Sequence, residues 1–118
     1  RPAVLLNDRI LKSAGGSWRK IPSHEQIIKS GQLFKNEIKK MVDSQKRNMF
    51  GFKDPRFCLT ADLWLPFMPQ PHIIFVFRNR LEIANSLHTR DNIPMDECYK
   101  IAEEYHKRMV DLSFRYYG

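Results

Sequence analysis

Two kinds of hydrophobic spacing alternate along this chain. Helical spacing comes first. Val4, Leu5, Ile10 and Leu11 offer apolar positions over residues 3–14, and Gly15 and Gly16 then stop the helix. A connection over 15–22 ends at Pro22. Ser23, with Gln26 three residues on, has the form of a capping box. It predicts a helix running to about Gln45, with Ile27, Ile28, Phe34, Ile38, Met41 and Val42 on one stripe. Gly31 lies mid-helix, where glycine costs about 1 kcal/mol against alanine and a small residue permits close packing.

The spacing then changes. Met49-Phe-Gly-Phe reads as a short strand over 49–52, and Pro55 fixes the turn after it. The uninterrupted β-branched and aromatic run over 72–77 reads as a fully buried strand. Helices are expected over 57–67, ahead of Pro69, and after Arg78, with Ile83, Ala84 and Leu87 on one face. A last helix runs from about Met95 to Tyr116, where Cys98, Ile101, Tyr105, Met109, Leu112 and Tyr116 recur at helical spacing. Strands alternating with helices predict an α/β fold in which a short parallel sheet, two strands of it visible, is flanked by helices. Two strands make a poor sheet, so open edges predict marginal stability or a homo-oligomer that covers them.

In open α/β sheets anionic ligands bind at the carboxyl ends of the strands. Arg78 stands at one such end and Ser86 about two turns into the next helix. A guanidinium and a hydroxyl there suit a phosphate, helped by the helix amino terminus. Lys53 and Arg56 stand at the end of the other strand, around Asp54 and Pro55. The plainer alternatives are a solvated Arg78, an incidental Ser86 and, for Lys53-Asp54-Pro55-Arg56, an exposed turn with a surface ion pair.

In their order these segments resemble the sulfotransferases that use 3′-phosphoadenosine-5′-phosphosulfate, bacterial and tyrosylprotein members in particular. The similarity rests on Lys53-Asp-Pro-Arg56, Leu63-Trp-Leu-Pro66, the run ending at Arg78, and Ser86-Leu-His-Thr-Arg90. Leu6-Asn7-Asp8 and Gly15-Gly16-Ser17-Trp18 are similar too. The resemblance implies a P-loop-type three-layer fold and transfer of a sulfuryl group to an acceptor hydroxyl or amine, without a metal. It implies that Arg78 and Ser86 hold the 3′-phosphate, with Arg90 adding charge. Lys53 would stabilise the transferring group, and Arg56 would hold the acceptor or a phosphate oxygen. Asp54 would orient Lys53 or take the acceptor's proton, a plain structural role being weighed ahead of either. The departures are Arg80, where many members carry Pro, and the family's Ser-Gly-Thr or Ser-Gly-Ser phosphosulfate loop, which has no counterpart here. On this reading residues 1–118 are a single, incomplete sulfotransferase-like domain.

The formal charge of +7 favours anionic partners. Lys29, Lys35, Lys39, Lys40, Lys46 and Arg47 fit a solvated helix face. Two cysteines, Cys58 and Cys98, make neither a disulfide framework nor a metal set, and four histidines show no ligand spacing. No stretch is apolar enough to span a bilayer and no secretory signal is visible, which points to the cytoplasm. Two other functions stay open beside the transferase: a non-catalytic nucleotide- or anion-binding remnant of that fold, and a basic nucleic-acid-binding module.

Overall fold

Ser23 starts its helix as the sequence predicts. Its hydroxyl accepts from the Gln26 backbone N–H, and the Gln26 side chain accepts from the Ser23 N–H. In the computed structural model, which describes residues 2–45 and 50–117, six α-helices follow one another. They are α1 Pro2–Ser13, α2 His24–Gly31, α3 Lys35–Ser44, α4 Phe57–Trp64, α5 Arg80–Asp91 and α6 Met95–Tyr117. Short 3₁₀ turns, Gln32–Phe34 and Leu65–Phe67, follow α2 and α4. The chain divides into two compact units, Arg1–His72 and Ile73–Gly118.

The first unit packs α1, α2 and α3 around α4. Helix α1 ends in a Schellman motif. The Gly16 N–H reaches the Leu11 carbonyl and the Gly15 N–H that of Lys12, with Gly15 at φ +90°. Ile10, Leu11, Ile27, Ile38, Val42 and Trp64 form its buried core. The single helix expected over 23–45 is two helices, broken by the 3₁₀ turn. Gly31 is buried against Leu63 of α4. The break lets Phe34 lie under Arg9 of α1, whose guanidinium carbon is 5.3 Å from the ring centroid.

Arg9 also makes a forked pair with Glu37 of α3, at 2.6 and 3.1 Å. The hydrogen bond from Arg9 holds the Glu37 carboxyl below its ordinary value of 4.5, and the same bond raises Arg9. A depressed carboxyl stabilises the fold above its unfolded pKa and loses that contribution as pH falls through the folded one. Glu37→Gln is therefore expected to lower the urea midpoint slightly near pH 7, and by progressively less as pH falls below 4.5 and through the depressed folded value. Because both groups are exposed, added salt is expected to shrink the difference at pH 7.

The second unit is an α5–α6 hairpin with an extended strap, 73–79, ahead of it. Asn92 closes α5 in the left-handed region, φ 54° and ψ 39°. The buried Ile93 follows, and its carbonyl accepts from His88 Nδ1 at 2.6 Å and from Cys98 Sγ at 3.4 Å. Ala84, Cys98, Ile101, Ala102 and Leu112 are buried, whereas Tyr116, expected on the inner stripe, is 41% exposed.

The α/β expectation is overturned. Among the described residues there is no strand, hence no parallel sheet and no P-loop-type three-layer fold; the described fold is all-helical. Met49, where the first strand was expected to begin, lies outside the described residues, as do Lys46 and Arg47. Phe52 instead stacks on Trp64 (5.2 Å) and Phe57 (6.0 Å), which draws its segment onto α4. The 72–77 run is extended but not buried: Ile74 is 86% and Val76 69% exposed. Strand-forming residue types set the local backbone, but a ladder also needs a partner to accept and donate its hydrogen bonds.

Candidate functional site

Asp54 and Pro55 lead into α4 through a tight turn. Asp54 Oδ1 accepts from the Arg56 backbone N–H at 3.3 Å, an Asx turn, and the Asp54 carbonyl accepts from the Phe57 N–H at 3.0 Å. The Asp54 side chain is only 1% exposed. Its Oδ2 accepts from Asn7 Nδ2 at 3.0 Å, and its Oδ1 accepts from Arg56 Nη1 at 2.9 Å. Arg56 Nε donates to Asp8 Oδ1 at 2.6 Å. Burial works against the charge on Arg56, but the hydrogen bonds and charges of Asp54 and Asp8 outweigh it, leaving the guanidinium above its ordinary value.

This geometry assigns Asp54 and Arg56 to holding α1 against the start of α4. Both carboxylate oxygens of Asp54 already accept hydrogen bonds, so the structural role weighed ahead for it is the one the packing supports. Arg56, expected to meet an acceptor or a phosphate, is 21% exposed at its side chain and tied to two carboxylates. Lys53 differs. It is exposed, and no hydrogen bond or ion pair joins it to another described residue.

Sequence reasoning missed the hub of this cluster. Asn7 is fully buried, and its Oδ1 accepts from Thr60 Oγ1 and from Trp64 Nε1, both at 2.9 Å. The signal was present: Asn7 stands on the apolar face of α1, one turn before Ile10 and Leu11. A polar residue there has to find partners inside.

In the second unit Arg78, Asn79, Arg80, Leu81 and Tyr99 line an open depression of about 440 Å³. Arg78 is exposed. Arg80 is half-buried, and its Nε is shielded from water without a hydrogen-bond partner among the described residues. Asn79 caps α5, its Oδ1 accepting from the Leu81 N–H at 2.8 Å and the Glu82 N–H at 3.4 Å. Those amides are therefore occupied, and an anion here would meet guanidinium groups rather than the helix amino terminus expected from the sequence.

Ser86 and Arg90 do not line this depression. They share the exposed face of α5, with Ser86 on the side away from the buried Ala84. Ser86 lies about 10 Å along the axis from Asn79, at 1.5 Å per residue. Arg78 has to extend along α5 to share a ligand with its hydroxyl. Arg90 donates to Asp91 Oδ2 from Nε at 2.9 Å and from Nη2 at 2.8 Å, which partly neutralises it. Lys53, Asp54 and Arg56 belong to the first unit and Arg78, Ser86 and Arg90 to the second.

Among the described residues no group of three or more His, Cys, Asp or Glu side chains is placed to hold a metal ion. No described helix is long and apolar enough to cross a membrane. No family model, curated protein or solved structure matches the chain.

Proposed function

We propose that the chain takes part in sulfuryl transfer from 3′-phosphoadenosine-5′-phosphosulfate, with the start of α5 receiving the donor's 3′-phosphate. The observation that carries this reading is the pair of arginines, Arg78 and Arg80, on one depression. A dianionic phosphate in the depression would meet the guanidinium groups of Arg78 and Arg80. Ser86 and Arg90 continue the polar face for the rest of the nucleotide. The residues present suit the 3′-phosphate end of the donor; the phosphosulfate loop has no counterpart among them.

In the transfer itself the sulfur–oxygen bond to the 5′-phosphate breaks as a bond forms to the acceptor oxygen or nitrogen, which loses its proton. Negative charge grows on the leaving phosphate oxygen. A cation beside that oxygen stabilises the charge more in the transition state than in the ground state. The hydrogen bonds to both Asp54 oxygens favour its structural role over that of proton acceptor. The implied partners are the nucleotide donor, an acceptor, and further copies of the chain.

A second reading, nucleotide binding without turnover, is favoured by the commitment of Asp54 and Arg56 to internal bonds. Calorimetric titration with adenosine 3′,5′-bisphosphate tests the shared part of both. Arg78→Ala is expected to weaken binding about tenfold, the loss of one charge-assisted contact. Equal affinity for the bisphosphate and for 5′-AMP would refute the 3′-phosphate site. Turnover of the sulfuryl donor, followed by mass spectrometry of the released bisphosphate, separates the transferase from the binder.

A further inference from the structure

The strap ahead of α5 has the chemistry of a strand and no ladder. From Ile73 to Phe77 it is β-branched and aromatic throughout and carries no charge. Ile73 is pinned at both backbone groups: its N–H donates to the Tyr117 hydroxyl, and that hydroxyl donates to its carbonyl, each at 3.2 Å. Phe75 meets Tyr117 edge-on at 5.9 Å, and Phe77 meets His106 at 5.5 Å. Alternate side chains thus lean on α6, while Ile74 and Val76 stand 86% and 69% exposed on the other side. Residues 74–77 have no backbone hydrogen-bond partner among the described residues. The extended backbone is already held in place, so a second strand would add to it without first ordering it.

We infer that this segment pairs with the same segment of a second copy of the chain, antiparallel and centred on Phe75. Charge selects both the occupant and the direction. The second unit carries seven Lys or Arg against seven Asp or Glu, so two copies meeting through it oppose surfaces of no net charge. The excess of +7 belongs to the first unit. A parallel, in-register pair stacks Arg78 on Arg78. The antiparallel pair centred on Phe75 sets Arg78 across from His72 of the second copy, and sets Ile74 across from Val76. The exposed apolar face of each strap then gains an apolar cross-strand neighbour. This interface stands apart from the sulfuryl-transfer reading, since neither Arg78 nor Lys53 has to bind an anion for it to form.

Sedimentation velocity of the intact chain, from about 5 to about 500 µM, tests the pairing in the range where a short ladder associates. A monomer–dimer equilibrium is expected, with slower amide exchange at 74–77 as concentration rises. Val76→Lys and Ile74→Lys change only outward-facing side chains, so the monomer's circular dichroism stays as it is while dimer formation weakens at least tenfold. Added salt is expected to tighten the wild-type dimer, because it screens repulsion between two chains of net positive charge. A monomer at every concentration overturns the inference and leaves the strap to a strand from a different polypeptide. A dimer that survives both lysine variants, or one in which 74–77 exchange at the monomer's rate, overturns it as well.

Discussion

Asn7→Leu is expected to lower the unfolding free energy by about 3–5 kcal/mol, from two or three buried polar groups losing their partners at about 1–3 kcal/mol each. Leucine keeps the heavy-atom count and the Cγ branching of asparagine, but its methyl groups are bulkier, so overpacking adds to the lost hydrogen bonds. It leaves the Trp64 Nε1–H without an acceptor and removes the Asn7 Nδ2 donor from Asp54 Oδ2. Thr60 suffers least, because its hydroxyl also reaches the Arg56 carbonyl at 3.3 Å. Asp54 suffers most, since a side chain 1% exposed cannot recruit water in place of the lost donor. The apolar burial gained by leucine offsets part of this and sets the lower end of the range. A domain of this size has about 5–15 kcal/mol in all, so the variant unfolds at a much lower urea concentration.

Thr60→Val is expected to cost only about 1 kcal/mol, because Asn7 Oδ1 keeps its bond from Trp64. Combining Asn7→Leu with Trp64→Phe removes both ends of one bond, and the two losses should add to less than their sum. An Asn7→Leu midpoint indistinguishable from wild type would show that the cluster is not what joins α1 to α4.

The distribution of that cluster explains how far the sequence could be read. Helix ends were legible because their chemistry is local. Ser23 and Gln26 name their own bonds, and Gly15 names its own backbone conformation. Helix existence was legible from spacing, as in α1 and α6. What joins the elements was not. The break at Gln32–Phe34 leaves the apolar stripe in phase, so periodicity alone does not reveal it. The missing ladder beside 73–77 is a fact about partners, and residue types report only the preference of the segment itself. The same limit applied to the site. Lys53 and Arg78 stand out by type and position, and both are exposed. Asp54 and Arg56 looked equally suited, yet Asn7 and Asp8, some 47 and 48 residues away along the chain, take up their hydrogen bonds.

Gly31 carries the second large effect, and there the sequence did anticipate the reason. A Cβ at this position would lie 2.8 Å from Leu63 Cδ2 and 3.0 Å from Cγ, and closer still to Cδ1. Leu63 is 4% exposed and has nowhere to swing without displacing other core side chains. The backbone itself would accept alanine, since Gly31 has φ −65° and ψ −17°. Two opposing quantities therefore decide the outcome: alanine gains about 1 kcal/mol in helix propensity, while overpacking against a buried leucine this close costs about 2–3 kcal/mol, the upper part of its usual range. Gly31→Ala should be destabilising by about 1–2 kcal/mol net, and Gly31→Val by about 3 kcal/mol or more, because the branched side chain adds volume and loses the propensity gain. Leu63→Ala supplies the control. Alone it opens a cavity and costs about 2–5 kcal/mol, but in the Gly31→Val background the valine fills the vacated space, so the double variant should be more stable than the two single losses predict. Strict additivity, or a Gly31→Ala variant as stable as wild type, would mean that α2 can slide off α4 at no cost and that glycine was not needed for the approach.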